Sequence, residues 1–219
     1  IVLIGDSFTH GSCVDNENNV AERLKKYNNK NVLNLGFSGS GPLIELAILR
    51  EYASKIKPKT LLWLYYEGND QNDDNHLKDT FYTNYLLTNF SQNLISKQRE
   101  IDNLLINWIE YEANKIENIN KNSSNKFSWI IKRLKLFSLR TNFIRLFQNS
   151  SKKDVEYPIN QNFEKILLMA KNEVNDWGGE IIFLYLPDWY RYKFKKQNSE
   201  NFHKKKDVIK IVRKNKIKI

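Results

Sequence analysis

The sequence is poor in sulfur and in histidine. Cys13 is the one cysteine in 219 residues, so no intrachain disulfide can form and no disulfide framework reveals the compartment. The three histidines, His10, His76 and His203, stand far apart. No cluster of His, Cys, Asp and Glu has metal-ligand spacing, so neither a metal nor another cofactor is implied. No apolar run approaches the roughly 18 residues that a membrane-spanning helix needs, and nothing after Ile1 reads as a secretory signal. Localisation stays open, because the chain starts in the middle of an apolar run without an initiator methionine and is expected to lack an N-terminal segment that would carry any signal or anchor.

Acidic residues are also in deficit. With 35 Lys and Arg against 25 Asp and Glu, the formal net charge is +10. The lysines are spread among asparagines and isoleucines, the usage of an AT-rich genome, and no nucleic-acid-binding motif accompanies them. Nucleic acid is therefore not an expected partner. Hydrophobic residues at 41% and aromatic residues at 13% suffice for one core, so residues 1–219 are expected to form a single domain.

Four short apolar runs, at 1–4, 31–35, 60–66 and 181–186, are β-branched or aromatic and end in turn residues. Such runs read as strands buried on both faces, as in a parallel sheet. Helical spacing fills the intervals. Val20, Leu24 and Tyr27 share a face; Pro42 opens a segment to Ile56 with Leu43, Leu46, Ala47, Leu49 and Ala53 on its apolar side. Phe163, Ile166, Leu167, Ala170 and Val174 form a third face, closed by Gly178-Gly179. This alternation predicts an α/β fold with right-handed crossovers. The final Ile217-Lys218-Ile219 reads as the start of a fifth strand.

Residues from about 72 to 160 are too many for an ordinary connection and read as a helical insertion. Leu94, Ile101, Leu105, Trp108 and Ile109 predict one long helix, and Asn118–Asn125 a break after it. A second helix is expected beyond Ser128, with Trp129, Ile130, Leu134 and Phe137 opposite Lys132, Arg133, Lys135 and Arg140. That pattern would suit contact with an anionic membrane surface, yet an amphipathic helix in a globular chain ordinarily buries its apolar side on the domain. Packing is the expectation. Since the insertion leaves directly after Asn69, it is placed to overhang the strand ends as a lid. Near the other end, Lys193–Lys206 reads as a solvated basic loop before a short helix, Asp207–Lys214.

Three of the apolar runs end in small polar turns. Ile1-Val2-Leu3-Ile4 runs into Gly5-Asp6-Ser7; Val32-Leu33-Asn34-Leu35 into Gly36-Phe37-Ser38-Gly39-Ser40-Gly41-Pro42; and Thr60-Leu61-Leu62-Trp63-Leu64-Tyr65-Tyr66 into Glu67-Gly68-Asn69-Asp70. In open parallel sheets the crevice beyond the strand ends is where ligands bind. This ordered set resembles the first three motif blocks of the SGNH (GDSL-type) hydrolase superfamily. The resemblance implies a three-layer α/β/α sandwich with a flavodoxin-like parallel sheet, ordered 2-1-3-4-5. It also implies that Ser7 is the nucleophile and that the Ser7 backbone N–H, the Gly39 backbone N–H and the Asn69 side-chain amide form an oxyanion hole.

Those residue types suit that work. A serine hydroxyl needs a base for its proton and donors for the developing oxyanion. Gly39 brings its backbone close without a Cβ in the way, and Asn69 offers a donor that does not titrate. Asp6 and Asp70 flank the key residues but read as turn carboxylates that cap nearby N–H groups. The spacing of Gly36, Gly39 and Gly41 differs from a dinucleotide fingerprint, so that reading is set aside.

The family's fourth block, an Asp-x-x-His carrying the base, has no match. His203 follows Glu200 at the right spacing but lacks the aspartate and the preceding strand; His10 is better placed to flank the pocket than to align with Ser7; His76 reads as a solvated loop histidine. The base is expected beyond Ile219. Residues 1–219 alone should then turn esters over slowly, since removing a serine's base costs roughly 10⁴- to 10⁶-fold. The activity implied is hydrolysis of acyl esters, of an acetyl type on carbohydrate, through an acyl-serine intermediate. Two alternatives stay open: a sugar O-acyltransferase of the same fold, and a non-catalytic carbohydrate-binding module that keeps only the crevice.

Overall fold

A computed structural model describes residues 1–28, 31–73, 80–122, 159–189, 192 and 201–219. The chain divides into two compact units, residues 1–95 with 156–219, and residues 96–155. Outside the described residues lie the expected second insertion helix, His76, and most of the expected basic loop.

The first unit is built on four parallel strands, β1 (Val2–Gly5), β2 (Leu33–Asn34), β3 (Thr60–Tyr66) and β4 (Glu180–Leu186), in the order β2-β1-β3-β4. Val2 pairs with Leu33 and Leu61, and Tyr66 with Leu186, so all four strands point the same way and end at one edge. An isolated parallel bridge joins Ile182 to Lys218 on the far side of β4. The all-parallel α/β class expected from the apolar runs is thereby met.

Strand periodicity divides the core in two. Val2, Ile4, Leu61, Trp63, Ile181 and Phe183 pack on one face of the sheet with Leu46, Ile166, Ala170, Val208 and Val212. Leu3, Leu62 and Leu64 pack on the other with Ala21 and Val32. Successive side chains of a strand point to opposite faces, so an uninterrupted apolar run is what a sheet covered on both sides requires.

Helix boundaries follow local chemistry. α1 (Ser7–His10) is a single turn, and α2 (Val20–Asn28) follows it. α3 (Pro42–Ile48) begins with proline in its first turn, where the missing N–H costs nothing. The expected continuous helix to Ile56 is interrupted: Leu49–Ala53 is a π turn, and only Ser54–Ile56 (α4) returns to α geometry. The cause is that neighbouring Arg50 and Glu51 are both buried and both bonded. Arg50 donates to the carbonyls of Tyr85 (2.6 Å) and Leu87 (2.8 Å) and pairs with Glu173. Glu51 accepts from the Tyr85 hydroxyl (2.8 Å) and the N–H groups of Gln92 (2.6 Å) and Leu94 (2.9 Å). A wider turn lets consecutive polar residues both face inward, and they tie down the segment that contains the 3-10 helix Phe81–Leu86.

After the short α5 (Asp70–Asp73), α6 (Gln98–Asn122) forms the described part of the second unit. It runs through Asn118–Asn122, correcting the first half of the expected break; asparagine costs well under 1 kcal/mol in a helix interior, too little to stop a run rich in Ile, Glu and Lys. α7 (Phe163–Asp176) ends as expected, with Gly178 at φ +77° and the Gly179 N–H donating to the Val174 carbonyl at 2.9 Å. α8 (Asn201–Lys214) starts earlier than the expected Asp207, because the lysines before Asp207 are good helix formers.

Candidate functional site

Ser7, Gly39 and Asn69 come from three adjacent parallel strands that end at the same edge. Ser7 follows β1 as the first residue of α1. Gly5 is held at φ +148°, where a Cβ would lie 2.1 Å from Thr9 Oγ1 and 2.6 Å from the Leu64 carbonyl oxygen. Only glycine fits, since the chain must leave the strand against the next one. Asp6, fully buried, caps α1: its Oδ1 accepts from the Phe8 N–H at 2.9 Å and its Oδ2 from the Ser7 hydroxyl at 3.4 Å. This is the capping role its turn position suggested. Gly11 closes the turn at φ +90°, and its N–H donates to the Ser7 carbonyl.

The Gly39 loop is anchored to the same strand end. The Phe37 N–H donates to the Gly5 carbonyl at 2.9 Å, and the buried Ser40 hydroxyl donates to the Gly5 carbonyl at 3.1 Å and to the Phe37 carbonyl at 2.7 Å. Asn34 adds a second tie, its amide donating to the Thr9 carbonyl at 2.8 Å while its Oδ1 accepts from the Gly36 N–H at 2.9 Å. Gly36 lies against α1, where a Cβ would stand 2.4 Å from the His10 nitrogen. Gly39 itself has φ +78° and no atom within 4 Å of where a Cβ would be. Its glycine character serves the backbone conformation and leaves open space in front.

The Asn69 turn is fixed by its neighbours. Asp70, also buried, accepts from the Tyr66 N–H at 2.8 Å and so folds the turn onto the end of β3. Glu67 accepts from the Asp188 N–H at 3.0 Å, and its own N–H donates to the Leu186 carbonyl at 2.9 Å, which locks the β3 and β4 ends together. Across to α1, the Phe8 and Tyr66 rings lie 4.1 Å apart. Ser7 and Asn69 are half-buried and Gly39 is exposed, as a site open to solvent requires.

Among the described residues the Ser7 hydroxyl bonds to Asp6 and to no imidazole. His10 ends α1 with an exposed ring, and His203 lies in α8. No three His, Cys, Asp or Glu side chains among the described residues are grouped to hold a metal, and no described helix is long and apolar enough to cross a membrane. A groove of about 540 Å³ lined by Ile1, Val32, Ile56 and Pro58 lies at the opposite edge, away from the three motifs.

Sequence reasoning missed Ser40 and Asn34, the side chains that hold the glycine loop to Ser7's strand. Small polar turn residues commonly bond to nearby backbone, and that tendency was the available signal. Comparison with family models, curated proteins and solved structures found no match.

Proposed function

We propose that the chain is an SGNH-type serine ester hydrolase acting on acyl esters of carbohydrate, with Ser7 as nucleophile. The observation that carries the reading is the tying of the Gly39 loop, through the Phe37 N–H and the Ser40 hydroxyl, to the Gly5 carbonyl of the strand that delivers Ser7, a strand paired directly with β3, which leads into the Asn69 turn. In the proposed reaction the Ser7 oxygen attacks the ester carbonyl, and the oxyanion is held by the Ser7 and Gly39 N–H groups and the Asn69 amide. Collapse expels the alcohol and leaves an acyl-serine. Transfer to water makes an esterase, and transfer to a sugar hydroxyl makes an acyltransferase.

The proposal includes an imidazole base for the serine proton. Asp6 is not that base in this reading, because its carboxylate already caps α1 through Phe8. The fold belonging to the proposal is a flavodoxin-like α/β/α sandwich with a fifth strand beside β4; the Ile182–Lys218 bridge and the two core clusters support it. The test is release of acetate from acetylated oligosaccharides by the full-length protein. Ser7→Ala should abolish it; equal release by the variant, or none by the unaltered protein, would refute the reading.

A further inference from the structure

Resting on the serine-esterase reading above, we propose that Ser12 is a positioning residue: through Ser38 it holds the Ser38–Gly39 peptide in the orientation in which the Gly39 N–H serves the oxyanion. Residues 37–40 form a β-turn closed by the Ser40 N–H, which donates to the Phe37 carbonyl at 3.1 Å. Gly39, third in the turn, has φ +78°, while Ser38 before it keeps a negative φ. That combination defines a type II turn. Types I and II share their ends and differ by a turning-over of the central peptide, here the one between Ser38 and Gly39. The direction of the Gly39 N–H is therefore a two-state property of the loop.

The Phe37 N–H and the Ser40 hydroxyl hold the ends of that turn to the Gly5 carbonyl, and neither bond involves the central peptide. Glycine takes φ of either sign about equally, so Gly39 permits the type II form without enforcing it. Ser38 supplies the missing restraint. Its hydroxyl oxygen lies 2.7 Å from that of Ser12, and either can donate. Ser12 is itself fixed to the nucleophile's turn, because its N–H donates to the Ser7 carbonyl at 3.1 Å. A two-bond path thus joins Ser7 to the residue whose carbonyl forms half of the flipping peptide. The Gly39 N–H meets no acceptor among the described residues, which leaves it available to a ligand.

Both serines are exposed, so their bond contributes little to folding. It matters where a small bias decides between two states of similar energy. A modest hydrogen bond shifts such an equilibrium severalfold, and a donor turned away from the oxyanion contributes nothing to the rate. A hydroxyl pair on the surface therefore has a leverage on turnover that it lacks on stability.

Nuclear Overhauser spectroscopy of the full-length protein reads the peptide without turnover. A strong contact between the Ser38 Hα and the Gly39 N–H marks the type II form. It should be present in the unaltered protein and in Ser12→Thr, which keeps a hydroxyl, and should weaken in Ser12→Ala. With acetylated oligosaccharide, Ser12→Ala should lower kcat roughly three- to tenfold while KM and the melting temperature hold. In a Gly39→Ala background, where the peptide is already released, the same substitution should change nothing. An undiminished contact in Ser12→Ala, an unaltered kcat, or an equal loss with and without Gly39 overturns the proposal. Labelling of Ser7 by a fluorophosphonate is scored separately. No labelling and no hydrolysis sinks the esterase, and the Overhauser contact alone then decides whether Ser12 holds the peptide.

Discussion

The Ser40 hydroxyl donates to the Gly5 carbonyl oxygen across 35 positions of sequence, at 3.1 Å, so the loop that presents Gly39 is pinned to the strand that delivers Ser7. A second donor, the Phe37 N–H, meets the same oxygen at 2.9 Å. Ser40→Ala removes the side-chain tie and leaves the backbone one. Stability should fall by only about 1 kcal/mol in urea unfolding, while ester turnover falls by a larger factor than that loss accounts for. A rate unchanged within error would show that the Gly39 loop needs no such pin.

The glycines at the site should separate into two kinds. Gly5→Ala and Gly36→Ala place a Cβ within 2.1 and 2.4 Å of neighbouring atoms, so both variants should be insoluble or lose cooperative unfolding. Gly39→Ala meets nothing within 4 Å and carries only the penalty of a positive φ, about 1–2 kcal/mol. It should fold and lose activity. Thermal unfolding followed by circular dichroism distinguishes the two.

Asn69→Ala should retain the fold, because Asp70 rather than Asn69 bonds the Tyr66 N–H. Loss of one oxyanion donor ordinarily lowers turnover by about 10²- to 10³-fold. A decrease confined to KM would assign Asn69 to ground-state binding and remove it from the proposed hole.

Glu51 supplies a pH signature. Burial would raise its carboxyl, but bonds from Leu94, Tyr85, Gln92 and Ser91 outweigh it and hold the group below its ordinary 4.5. A folded-state value below the unfolded one gives stability that is present above pH 4.5 and lost as pH falls through the folded value. Glu173 works in the opposite sense, since burial outweighs the Arg50 guanidinium and raises its carboxyl, favouring the fold as pH drops. Comparing wild type with Glu51→Gln isolates the first group. The variant should be roughly 1–3 kcal/mol less stable at neutral pH, and the gap should close in acid. A gap independent of pH would mean that the Glu51 charge contributes nothing.

Thr9 offers a test in the stabilising direction. Its Oγ1 is buried without a hydrogen-bond partner among the described residues. Thr9→Val keeps the shape and removes the orphan hydroxyl, so the melting temperature should hold or rise. A fall would reveal a polar contact at that oxygen.

The sequence by itself determined what local chemistry can specify. Uninterrupted runs such as Leu61–Tyr66 demand a sheet covered on both faces, Gly178-Gly179 ends a helix wherever it follows one, and Asp6 caps the turn it precedes. What it left undecided depends on partners distant along the chain. The π turn exists because Arg50 and Glu51 bond to backbone beyond residue 84, and periodicity within 42–56 carries no trace of that. Helix propensity decided Asn118–Asn122 against the expected break, a matter of summed small terms that individual asparagines hide. Only tertiary structure could set Phe8 on Tyr66 and Ser40 on Gly5, because both pairs meet across parallel strands whose order no single segment encodes.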